Sequence, residues 1–188
     1  MAEIPNLQTD RLILRPFSLQ DAPAVKRLAG DPAVADTTLN IPHPYEDGVA
    51  ESWIGAHQAN FEEGKSVTFA ITLRETGELM GAISLVTAVR HNRAEMGYWV
   101  GKPYWGQGYG TEAAKAVIAY GFTGMNLNRI LAYYLTRNPA SGRVMAKAGM
   151  RYEGHLRQHA LKDGVYEDLK LYAIIRDEFE NGRSQGVI

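Results

Sequence analysis

Cysteine is absent from the 188 residues. Disulfides, thiolate metal sites and a cysteine nucleophile are thereby excluded. Neither charge sign is in excess, since 20 Lys and Arg stand against 21 Asp and Glu. No basic run reaches the density of a nucleic-acid patch, so direct nucleic-acid binding is not expected. No apolar run has transmembrane length, and the N-terminus shows no charged-plus-apolar leader. The expectation is a soluble cytoplasmic protein with no membrane partner. Internal repeats and low-complexity segments are also missing. The length suits one domain over 1–188, with a core over about 7–180 and a flexible tail over 181–188.

The chain then reads as alternating elements. Leu12 and Leu14 with Arg11 and Arg15 suggest a first strand closed by Pro16. Ser18 and Asp21 resemble a capping box, opening a helix with Ala22, Val25, Leu28 and Ala29 on one face. Three prolines over 31–44 predict a loop or broken helix, and Val49, Ala50, Trp53, Ile54 and Phe61 predict a second helix. Strands follow over 67–73, 79–89 and 94–100, then a main helix over about 111–121. A strand over 129–136, a helix over 139–148 and two strands near Tyr152 and Tyr172 complete the pattern. The fold class expected is α/β (α+β), a mixed central sheet flanked by helices.

Between the strand ending near Val100 and the main helix lie Gly106, Gly108 and Gly110, one at every second position. Such spacing leaves backbone N–H groups open, and the helix N-terminus adds partial positive charge. A dinucleotide fingerprint would need glycine where Thr111 stands, and no Gly-Lys-Ser/Thr tripeptide supplies a Walker loop. On spacing alone the loop is either a tight strand-to-helix turn or the cradle of another phosphate ligand.

Four further segments occur in one order: 7–17, 94–100, Asn138-Pro139-Ala140-Ser141 through 147–150, and 163–168. With the glycine loop they resemble the GNAT superfamily of acetyl-CoA-dependent N-acetyltransferases, in its ribosomal-protein (RimJ/RimL-like) branch. The resemblance covers roughly residues 7–180. One departure is that Trp105 stands where the superfamily loop begins with Gln or Arg, and Gln107 lies two positions later.

The resemblance implies splayed central strands holding acetyl-CoA as co-substrate. Trp99, Val100 and Gly101 would pair with the pantetheine arm. Gly106, Gln107, Gly108, Tyr109, Gly110 and Thr111 would enclose the pyrophosphate. Asn138, which also reads as an N-cap before Pro139, would reach toward the pantetheine, and Ser141 would approach the cofactor. No metal is expected, because His155 and His159 lack the H-E-x-x-H pattern.

Glu95 is the candidate base, on the strand leading into the loop and on one face with Gly97 and Trp99. Its other reading is a solvated hairpin residue. Ser141 is the candidate acid for the leaving thiolate, since the helix after it offers no tyrosine. Tyr45 and Tyr166 are candidate substrate-binding residues, with Glu95 beside the amine. The resemblance implies transfer of acetyl to a primary amine by direct attack, first of all the N-terminal α-amine of a protein. A small amine such as a polyamine, amino acid or antibiotic is the alternative acceptor, and a non-catalytic CoA-binding module is the alternative role. The resemblance also admits a homodimer.

Overall fold

The computed structural model describes residues 3–184. Its strands are β1 (Leu7–Gln8), β2 (Leu12–Arg15), β3 (Ser66–Leu73), β4 (Leu79–Ala88), β5 (Arg93–Val100), β6 (Arg129–Leu135), β7 (Arg151–Lys162) and β8 (Val165–Ile175). They form one sheet in the order β1-β2-β3-β4-β5-β6-β8-β7. Every pairing is antiparallel except β5 with β6, so the sheet is mixed as expected.

Alternation divides the side chains between two cores. Ala94, Met96, Tyr98 and Val100 of β5 face the side covered by α5 (Tyr109–Thr123) and α6 (Pro139–Lys147). Trp99 faces the other side, packing with Val25 and Leu28 of α1 (Ala22–Ala29) and Ile54 of α3 (Val49–Gly55). β3 is buried almost throughout, so its alternate Thr68 and Thr72 are covered as well as its apolar residues. The long helix α5 lies close to the sheet because residue 121 is glycine. A Cβ there would stand 2.6 Å from Ile130 Cδ1.

Several elements differ from the sequence reading. The predicted helix over 49–61 is two, α3 and α4 (His57–Glu62), broken at Ala56. The proline-rich stretch holds a short helix, α2 (Pro32–Asp36), capped by the Asp31 side chain. Asn181 to Ser184, expected as part of a flexible tail, instead end a helix α7 (Arg176–Ser184), while 185–188 lie outside the described residues. One apolar anchor explains α7: Phe179 is buried and stacks on Phe122 at 4.8 Å. Among the described residues no helix is long and apolar enough to cross a membrane.

One irregularity positions the site. β5 and β6 pair only at Arg93↔Arg129, Ala94↔Ile130 and Glu95↔Leu131. Beyond Glu95, β5 stays with β4 and β6 stays with β8. The facing edges of 96–100 and 132–135 therefore diverge into a wedge in mid-sheet, the splay that the sequence resemblance implied.

Candidate active site

The glycine loop ends on Gly108, which caps α5 with φ of 85°, a conformation costly for any residue with a Cβ. The amides opening α5 have no acceptor within the helix and point out of its first turn. The loop is braced from outside. Glu112 in that turn accepts Thr9 Oγ1 at 2.6 Å and the Arg11 amide at 2.9 Å. Arg11 also spans Glu112 and the Gln107 carbonyl, with its guanidinium 4.5 Å over the Tyr109 ring. Burial works to raise the Glu112 pKa, but the Thr9 and Arg11 hydrogen bonds outweigh it and hold the carboxyl below its usual range. Trp105 donates its indole N–H to the Val100 carbonyl at 2.6 Å, and Gln107 Nε2 donates to the Pro103 carbonyl. Trp105 thus has a structural place in the loop, closing it onto the end of β5.

Glu95 occupies the last paired position before the strands part. Its side chain meets solvent, yet the surrounding protein raises its pKa, with the charge of His159 acting in the opposite direction. Gly97 beside it is exposed, whereas Trp99 is buried in the helical core, so only the Trp99 backbone is left for a ligand. The Gly101 amide donates to the Met80 carbonyl at 2.8 Å, and its carbonyl accepts the Tyr104 amide. A carboxylate at the mouth of a wedge, made more basic by its surroundings, can accept a proton from an incoming amine.

Asn138 caps α6 as the Asn-Pro pair suggested, accepting the Ser141 amide at 3.4 Å. Its amide nitrogen is turned to the Thr37 carbonyl at 3.3 Å, tying α6 to the end of α2. Ser141 Oγ lies 2.7 Å from the Tyr98 hydroxyl. Burial pushes the Tyr98 pKa up to about 12, while the Ser141 hydrogen bond acts the other way. Tyr98 therefore keeps its proton at neutral pH and is able to donate to Ser141. This partner went unnoticed in the sequence, where Tyr98 reads only as a core position of an alternating strand.

Where β7 meets β8 an open cleft of about 740 Å³ is lined by His155, Leu156, Arg157, Gln158, His159 and Asp168. Asp168 Oδ2 pairs with His155 Nε2 at 2.7 Å, and its Oδ1 accepts the Gln158 amide at 2.7 Å. Among the described residues no group of three or more His, Asp or Glu could hold a metal. Tyr166 is 65% exposed, and its neighbours Val165 and Glu167 line a second cleft with Asp36 and Arg137. Strand alternation places Tyr166 on the opposite face, the one it shares with Asp168 of the first cleft. Tyr45 is packed against the helical core with Ile41, and burial raises its pKa.

Residues 11–151 match the family described as Acetyltransferase (GNAT) domain. The chain belongs to the GNAT family. It is 35% identical over 174 residues to the Bacillus subtilis protein named Uncharacterized N-acetyltransferase YoaA, covering 92% of this chain and 97% of that one. It is 28% identical over 185 residues to the Escherichia coli [Ribosomal protein uS5]-alanine N-acetyltransferase, covering 94% of each. The crystal structure of a GNAT-family acetyltransferase from Bacillus anthracis superposes with a TM-score of 0.81 at 28% identity, covering 92% of this chain and 99% of that one.

As a GNAT N-acetyltransferase the protein is an acetyl-CoA-dependent enzyme. The family's co-substrate fits what the residues offer: an unpaired strand edge for an extended arm and a turn of open amides for its pyrophosphate. A Cβ on Gly106 would meet open space, so the outer side of the loop is unobstructed.

Proposed function

We propose that this enzyme acetylates the N-terminal α-amine of a protein, with Glu95 as base and Ser141 as acid. The observation that carries the reading is Glu95 at the parting of β5 and β6, within electrostatic reach of His159 in an open cleft. Acetyl-CoA supplies an activated thioester whose carbonyl carbon the amine attacks directly. Gly106 to Thr111 bind the pyrophosphate through backbone amides, and the edge of β5 at Trp99 and Val100 orients the arm, since the Gly101 amide and carbonyl are already bonded to Met80 and Tyr104. In this reading Glu95 takes the ammonium proton before or during attack. Ser141, aimed by Tyr98, protonates the departing sulfur.

Proton energetics favour an α-amine. Neutralising one at pH 7 costs about 1 kcal/mol, against about 4–5 kcal/mol for a lysine amine. A single carboxylate base suits the smaller demand. The relative from Escherichia coli, named for the alanine of ribosomal protein uS5, agrees with a polypeptide acceptor. A panel of peptide N-termini, lysine side chains and small amines, followed by free-thiol release, tests this. Turnover of free peptide termini above both other groups is expected. Turnover of small amines with none of peptides would overturn the reading.

A further inference from the structure

We propose that the acceptor cleft selects amines carrying a carboxylate a few bonds away, as in a polypeptide whose second residue is Asp or Glu, with Arg157 as the selecting cation. This rests on the reading of Glu95 as the group that meets the amine.

The device is an interruption in β7. Leu156 pairs with Leu169 and Ala160 pairs with Glu167, so Arg157, Gln158 and His159 together stand opposite Asp168 alone. Gln158 is forced to a φ of 49°, a conformation that a residue with a side chain adopts only when its surroundings impose it. Asp168 imposes it, binding the Gln158 amide with one oxygen and His155 with the other. Bulges of this kind re-aim side chains next to active sites.

The re-aimed side chains lead to the base. The His159 ring stacks on Tyr133 at 5.8 Å, and Tyr133 lies two residues past Leu131, the strand partner of Glu95. His159 lies near enough to act electrostatically on Glu95. The cleft wall therefore carries His155, Arg157 and His159 against one acid, Asp168, both of whose oxygens are occupied. Arg157 is exposed and acts on Asp168 only through space. Its guanidinium keeps its donors for an incoming carboxylate, which it matches in geometry. Glu95 for an ammonium and Arg157 for a carboxylate complement a ligand bearing both. A polycation meets Arg157 as a like charge.

Six-residue peptides differing only at position two (Asp, Asn or Lys), free aspartate and spermidine are compared at saturating acetyl-CoA. For the wild-type chain, kcat/KM is expected to favour Asp over Lys by about tenfold or more, with Asn between. Arg157→Gln should bring the ratio near one, and Arg157→Glu should reverse it, with acetyl-CoA affinity unchanged. Equal turnover of Asp and Lys peptides, or a preference that survives Arg157→Glu, would overturn the selection while leaving the polypeptide acceptor in place. Turnover of free aspartate without any peptide would support the charge rule and overturn the polypeptide reading. A preference for spermidine would overturn both.

Discussion

Arg11 and Glu112 are 101 residues apart in sequence and in direct contact. Arg11 Nε and Nη2 both lie 2.7 Å from Glu112 Oε2, while Nη1 reaches the Gln107 carbonyl at 3.0 Å. The bend just before β2 thus holds the chain on both sides of Gly108. Because half of the Arg11 side chain is solvent-exposed, its effect on global stability is small. Its effect on loop geometry is larger. Arg11→Ala should weaken acetyl-CoA binding by about tenfold, and Arg11→Lys should restore little, because one ammonium cannot span two acceptors. Calorimetric titration reads this directly, and an unchanged Kd in both variants would refute it.

Glu95→Gln should lower kcat by about 10²–10⁴-fold with acetyl-CoA affinity kept. The sign with pH follows from the base role. Only the carboxylate accepts a proton, so kcat falls as pH drops through a Glu95 pKa raised above the usual glutamate value. His159 opposes that rise, so His159→Ala should move the acidic limb to higher pH. A kcat profile in which neither substitution moves that limb would remove Glu95 from the chemistry.

Tyr98 and Ser141 form a pair whose members should not act independently. Ser141→Ala is expected to lower kcat by about tenfold, less than for a poor leaving group because a thiol ionises near 8.5. Tyr98→Phe keeps the ring and removes the hydroxyl 2.7 Å from Ser141 Oγ. It should slow the wild type several-fold, about 3–5, and have little effect in the Ser141→Ala background. Additive losses in the double variant would mean that Tyr98 acts by another route.

His57 is buried with neither ring nitrogen hydrogen-bonded, edge-on to Trp53 at 4.5 Å and 5.4 Å from Phe17. Burial pushes its pKa down to about 4 from 6.5. The folded value lies below the unfolded one, so the unfolded chain takes the proton first as pH falls. Stability attributable to His57 should be flat above pH 6.5 and decline by about 3 kcal/mol on the way to pH 4. His57→Phe should remove that decline. Urea midpoints of both proteins at pH 7.5 and 4.5 test it, and equal acid losses in the two would contradict it.

The legible parts were those with a one-dimensional signature. Alternation marked β3 to β5, the glycines marked the start of α5 to within two residues, and Asn138-Pro139 marked the cap of α6. The parting of β5 and β6 followed from family resemblance, since three paired rungs leave no trace in residue pattern. Other features depend on contacts distant in sequence. Arg11 looks like the polar face of a strand until Glu112 is brought to it. The bulge at 157–159 is a difference in register between two strands, visible in neither alone. Helix α7 rests on Phe179 meeting Phe122, a docking that its mostly polar residues do not announce.

The shortfall of rungs between β5 and β6 also bears on how the protein endures. A sheet with an open seam at its centre exposes backbone donors and acceptors that any stray extended segment could pair with. An arm lying in the seam would close it, and binding to the folded form alone raises stability by mass action. The folded enzyme is then sturdier with acetyl-CoA bound than without it.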